Sequence, residues 1–349
     1  MPTGIGGYRR WGGAQRSDGS VIPESRHVRN APLPVRGSDV PVEAVDHLPG
    51  RHLFAGPYLS HFGHFFAEGI SRLHAYRALR ADIDGIVFIG RQRGGDSEVG
   101  ERAAEVLQVL GVNHPVRIIA QPTRVDALFV PDQGAGLGLL AGGTPATHAM
   151  FREAYAEVTA RPDGAARVLI SRRYYGRMRG GVVLGGLLEE NLEAQGYQSF
   201  APERHSFAEQ VATYKAARQI VGLDSSAFHV IATLGRADLD VGVILRRADG
   251  TKDLGPQLLG FTGRLPTIID AIEEEFVREG AGQRRTWSRF AELDFPRLGR
   301  ELQEAGLIDD LSVWQLPTPP LRQHFFDRYA KRFGKPLVPY RPAMAGDGE

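Results

Sequence analysis

The chain has 349 residues, with 42 Lys plus Arg against 41 Asp plus Glu, and no cysteine. That balance leaves no global field to draw in nucleic acid or an anionic membrane. The missing cysteine excludes disulfides, thiolate metal sites and Cys nucleophiles. A chain of this length exceeds one ordinary domain and suggests two.

Taken in order, residues 1–50 are rich in Gly, Pro and Arg with little periodicity and read as an irregular arm. The first twenty lack the apolar core of a signal peptide, and no stretch approaches the ~18 apolar residues of a spanning helix. The expectation is a cytoplasmic protein, at most peripheral to the inner face of a membrane. A helix is predicted from His61 to Leu79. Short apolar runs and helical patterns then alternate: "GIVFIG", a helix around Ser97 to Leu110, "VRIIA", "DALFV", and a helix from Pro145 to Ala160. After "RPDG" the alternation restarts with "RVLISR", a helix near Leu187 to Gln195, "YQSF", a helix from Phe207 to Ala217, "QIVG", a helix from Ser226 to Leu234, and "VGVILRR". Such alternation marks α/β units. The expected organisation is an arm (1–50), two Rossmann-like domains (51–162 and 163–265) facing a cleft, and C-terminal helices with a strap (266–349). A helix near Thr267 to Arg278 and a turn or strap at "LPTPPL" complete the reading.

Three stretches carry chemistry. In "HFGHFFAEGISRL", at 100° per residue, His61, His64, Glu68, Ser71 and Arg72 share one helix face, and Phe62, Phe66, Ile70 and Leu73 the other. The plain reading is a solvated face with a Glu68–Arg72 pair worth ~0.3 kcal/mol. The functional one is a general base and a positive group on one line. "LISRRYYGRMRGG" sets Arg172, Arg173, Arg177 and Arg179 after a strand, where α/β ligands bind and where Arg can neutralise a diphosphate without a divalent cation. "QIVGLDSSAFHVIATLG" places Asp224, Ser225 and Ser226 at a helix start, with His229 one turn inside. These residues either cap the helix or present N–H groups to a phosphate, while Asp224 suits a hydroxyl or an Arg. "GLGLLA" (Gly136 to Ala141) matches a relaxed dinucleotide fingerprint but stands apart from its preceding strand, a weak sign of an NAD enzyme. "RRADGTKD" reads as a turn.

The segment "PERHSFAEQVATYKAARQIVGLDSSAFHVIATLG" resembles glycosyltransferase family 61, a group tied to capsular polysaccharide clusters, through Pro202, Glu203, Ser206, Phe207, Glu209, Gln210, Ala217, Gly222, Ser226, Ala227 and His229. The family's His-x-x-x-Glu-x-x-x-Arg-Leu helix matches His64, Glu68, Arg72 and Leu73, and its Ser-Arg strand end matches Ser171 and Arg172. Asp224 and Ser225 depart from the family pattern, and "VVLGG" stands where it often has Asn-Glu. The resemblance implies an inverting glycosyltransferase of GT-B type, moving a sugar from a UDP-linked or similar nucleotide-sugar to a glycan or lipid-linked hydroxyl, with no metal or cofactor. It implies His64, Glu68 and Asp224 as catalytic, and Arg172, Arg179, Glu203, Ser225, Ser226 and His229 as donor-binding. Arg72 takes an acceptor-side or structural role. A non-catalytic sugar-nucleotide or glycan binder on the same fold is the alternative, since the Asn-Glu pair is lost.

Overall fold

The computed structural model describes residues 13–31, 42–90, 98–174, 180–248, 253–280 and 288–341. The fold is mixed α/β. Its first unit contains β1 (Asp46–Pro57), α1 (Phe62–His64), α2 (Tyr76–Leu79), β2 (Gly85–Ile89), α3 (Glu101–Val109), β3 (Val116–Ile119), β4 (Thr123–Phe129) and α4 (Pro145–Ala156). Its four strands form one parallel sheet in the order β3-β2-β1-β4. β1 is central, and its second half is buried throughout, as a parallel strand covered on both faces must be. It begins inside the segment read as an arm. Pro49 and Gly50 disguise it, and a register shift between Leu48 and Arg51 absorbs them.

The helix expected from His61 to Leu79 is broken. α1 leads into a π-helical turn at Phe65–Gly69, closed by the Ile70 amide on the Phe65 carbonyl at 3.1 Å, then a 3-10 turn at Leu73–Ala75 before α2. The extra residue in a π turn disturbs the 100° progression and carries Glu68 inward, to complete burial.

The second unit runs β5 (Arg167–Ile170), β6 (Gly181–Val182), α5 (Gly185–Ala194), β7 (Gln198–Phe200), α6 (Phe207–Ala216), β8 (Gln219–Leu223), α7 (Ala227–Thr233), β9 (Asp240–Ile244), α8 (Leu254–Thr262) and β10 (Thr267–Ile269). Five of its strands form a second parallel sheet in the order β10-β9-β8-β5-β7. The connection reverses direction between β5 and β8, the switch point outside which open α/β sheets hold their ligands.

This second sheet is the middle layer of the molecule. Val168, Ile170, Ile220 and Val243 join the apolar cluster shared with the first unit, whereas Leu169, Val221 and Ile244 join a second cluster on the other face. That split is the period-two alternation of a strand. Between the two sheets the space is filled by rings: Phe66 lies 5.5 Å from Phe151 and 5.6 Å from Phe207, centroid to centroid.

The second cluster is closed by β11 (Ile272–Arg278), β12 (Phe290–Leu293), α9 (Phe295–Glu304), α10 (Pro319–Phe333) and β13 (Leu337–Pro339). β13, β11, β12 and β6 make a mixed sheet. The predicted helix from Thr267 to Arg278 is thus two strands, because β10 extends the parallel sheet beside β9 and β11 pairs with β12 and β13. Strand partners outweigh the local Glu-rich pattern there. "LPTPPL" starts α10: Thr318 caps it by accepting the Leu321 amide, with proline in the first turn, where no donor is lost. Among the described residues no helix is long and apolar enough to cross a membrane.

Candidate active site

The sequence stripe on the first unit becomes a buried network. Glu68 Oε1 accepts from Arg29 Nε at 2.6 Å and lies 3.0 Å from His27 Nε2. Its Oε2 accepts from Arg29 Nη2 at 2.7 Å and lies 2.9 Å from His64 Nδ1. Burial acts to raise the Glu68 carboxyl, but the bonds from His27, His64 and Arg29 outweigh it and hold the group well below the usual carboxylate range. The expected Glu68–Arg72 pair does not form. Arg72 turns away, fully buried, and donates to the carbonyls of Pro131, Glu24 and Arg26 at 3.1, 2.8 and 2.7 Å. Burial, opposed by Asp132, pushes its guanidinium down to about 10.

The second unit contributes the carboxyl rim of its sheet. Ser171 and Arg172 follow β5, Glu203 follows β7, Asp224 to Ser226 follow β8, and Arg246 and Arg247 follow β9. Asp224, expected to meet a donor hydroxyl, has both carboxylate oxygens engaged. Oδ1 accepts the Arg246 amide at 3.0 Å, and Oδ2 lies 3.2 Å from Arg247 Nη2. Burial raises the Asp224 carboxyl, with Arg246 and Arg247 opposing. "RRADGTKD", read as a turn, therefore carries the partners of a buried acid. Ser171 Oγ donates to Glu189 at 2.8 Å, and Arg172 Nη2 reaches the Gly180 carbonyl at 3.3 Å. Arg177 and Arg179 lie outside the described residues.

Two polar groups on this rim stand apart. Both carboxylate oxygens of Glu203, and the Ser225 hydroxyl, are shut off from water and make no hydrogen bond among the described residues. A buried orphan of this kind costs about 1–3 kcal/mol unless a water or a ligand supplies the bond.

Stripe and rim meet. A Cβ placed on Gly63 would sit 2.9 Å from the Ser226 Cβ, so only glycine allows α1 to close on the start of α7. One turn along, His229 Nδ1 lies 2.5 Å from Gln257 Oε1. Burial lowers the His229 imidazole, the Gln257 bond opposes, and nearby His64 lowers it further. At the switch point a cleft of about 650 Å³ opens. Arg172, Gly222 and Leu223 line it from the rim, Gly185 and Gly186 from α5, and Arg328 and Tyr329 from α10. Among the described residues no group of three or more His, Asp or Glu side chains is placed to hold a metal ion.

Sequence reasoning missed His27, Arg29, Arg246, Arg247 and the α10 wall. The one available signal was "HVR": in an extended segment residues two apart point to the same side. The glycines of "GLGLLA" open a three-residue 3-10 turn, not an α-helix. The Gly138 amide donates to Asp253 at 3.0 Å and the Leu139 amide to the Arg29 carbonyl at 3.0 Å, so the loop serves the arm.

No curated protein matches the chain. Residues 62–235, or 174 of the 349, match the family model described as Glycosyltransferase 61. That segment contains His64, Glu68, Arg172, Glu203, Ser226 and His229, and leaves out the arm and α10. The chain belongs to the glycosyltransferase 61 family.

Proposed function

We propose that the protein is an inverting glycosyltransferase of GT-B type, with the first unit (51–162) facing the acceptor and the second (163–265) holding a nucleotide-sugar, UDP-linked, at its carboxyl rim. The acceptor is a glycan or lipid-linked hydroxyl of polysaccharide biosynthesis. The observation that carries this reading is the meeting of the two motifs at Gly63 and Ser226, beside a rim with orphaned polar groups.

The chemistry follows from these positions. A base on the His64–Glu68 face takes the proton of the acceptor hydroxyl while its oxygen forms a bond to the anomeric carbon. The bond from that carbon to the diphosphate breaks, and its electron pair leaves on the nucleoside diphosphate. Arg172, joined by Arg179 as the sequence implies, and the amides at the start of α7 offset the charge that develops there. Glu203 and Ser225 take hydroxyls of the ribose or sugar. Asp224 acts at one remove, by holding Arg246 and Arg247 on the rim.

Thermal shift against a panel of UDP-, GDP- and CMP-sugars tests the donor, and product analysis of the responding one tests transfer. A stabilising UDP-sugar that is transferred with inversion is expected. No response to any of the panel contradicts the reading. Because arginine neutralises the diphosphate, turnover survives EDTA; loss on chelation and recovery with manganese would contradict that part. The binder alternative draws on "VVLGG", where Leu184 takes the left-handed conformation (φ 58°) before Gly185 and Gly186. Donor binding without hydrolysis or transfer would favour it.

A further inference from the structure

The N-terminal arm contributes to the catalytic face, although it lies outside the family match. Resting on the glycosyl-transfer reading for its chemistry, we propose that His64 is the general base and that Glu68, His27 and Arg29 are positioning residues. The arm locks the Glu68 carboxylate so that it holds His64 Nδ1–H and leaves the ring's lone pair on Nε2.

The geometry separates the two roles. Glu68 is fully buried and both its oxygens already accept from nitrogen donors on three side chains, so it is poorly placed to take a proton from a substrate. His64 keeps 28 % of its side chain exposed. A carboxylate behind an imidazole fixes its tautomer and stabilises the imidazolium once the proton has arrived. The proton of the acceptor hydroxyl goes to Nε2, and Glu68 stays ionised throughout.

Features that otherwise have no common purpose seat the arm. Arg72 binds the carbonyls of Glu24 and Arg26. Gln133 clamps Val28 through its amide (2.8 Å) and its carbonyl (3.1 Å). A Cβ on Gly138 would meet Asn30 Oδ1 at 2.3 Å, so glycine lets the loop lie against the arm. Between these anchors His27 and Arg29 project together onto Glu68.

Among the described residues, the charged and titratable neighbours of His64 include Glu68 on its own turn, His61 with ring centroids 5.4 Å apart, and His229 from α7. His27 and Arg29 act on it through Glu68.

Nitrogen-15 and carbon-13 histidine spectra of the whole protein, with His64 assigned through His64→Gln, test this without any substrate. The neutral ring of wild-type His64 is expected as the Nδ1–H tautomer; an Nε2–H tautomer overturns the proposal. Glu68→Ala, which removes the acceptor of Nδ1–H, is expected to turn the ring to the Nε2–H tautomer, and Arg29→Gln, which loosens the carboxylate, to mix the two. An unchanged Nδ1–H ring in both variants also overturns it. If a variant does not fold, the wild-type tautomer still decides. With a transferred UDP-sugar, Glu68→Ala should lower kcat with donor KM near wild type, as expected of a residue that positions the base. The expected spectra without turnover of any sugar-nucleotide would leave the histidine assignment standing and remove the transferase reading.

Discussion

Glu68 and Glu203 are both carboxylates whose oxygens are shut off from water, one in each unit, and the fold treats them in opposite ways. Glu68 accepts from His27, Arg29 and His64, and none of its capacity depends on a ligand. Glu203 has no partner among the described residues, and neither has the Ser225 hydroxyl on the same rim. The first arrangement is complete before any substrate arrives, as a group must be that orients a base. The second leaves polar atoms whose bonds have yet to be supplied, as a ligand surface does. Burial alone therefore says little about the role of an acid; the state of its hydrogen bonds distinguishes the two.

Removing each charge in turn breaks or sharpens that contrast. Glu68→Gln should cost about 3 kcal/mol in denaturant unfolding, since it strips the anion from a buried network of three donors while Arg29 keeps some solvent. Asp224→Asn should cost about 2 kcal/mol, by freeing Arg246, and should weaken donor binding through the displaced rim. Glu203→Gln should leave stability within about 0.5 kcal/mol or raise it, because no hydrogen bond among the described residues is lost. A loss as large as that of Glu68→Gln would show Glu203 to be structural.

Acid sharpens the contrast further. The Glu68 pKa is depressed in the folded protein, so its contribution is present above the unfolded value near 4.5 and is lost as pH falls below it. The stability gap between wild type and Glu68→Gln should narrow below about pH 4.5, whereas a constant gap would deny the network its charge. An effect smaller than those at Glu68 and Asp224 is expected at Ser206, whose hydroxyl and Glu209 form a capping box on α6. Ser206→Ala should cost about 1 kcal/mol and leave donor affinity unchanged.

Much of the second unit was legible because strands buried in a parallel sheet and helices with capped starts announce themselves locally. "QIVG", "RVLI" and "VGVI" became β8, β5 and β9 within a residue or two. β1 was hidden by Pro49-Gly50, a bulge that only its neighbours explain. The His64–Glu68 stripe was visible by spacing, but its partner was misassigned, because a straight helix would have offered Arg72 and the π turn offers the arm instead. His27, Arg29, Arg246 and Arg247 reach their acids across 22 to 41 residues of sequence, a distance that periodicity does not span. The motifs held the rim together on paper; the orphaned oxygens of Glu203 appear only in three dimensions.

The central claim is that one site joins a finished catalytic face to an unfinished donor rim. Steady-state kinetics of His64→Ala and Glu203→Gln with a transferred UDP-sugar test it most directly. The expected result is a split. His64→Ala lowers kcat by about 10²–10⁴-fold with donor KM near wild type, and Glu203→Gln raises donor KM about tenfold with kcat little changed. Wild-type constants in both variants, or the same change in kcat and KM from each, would contradict the account.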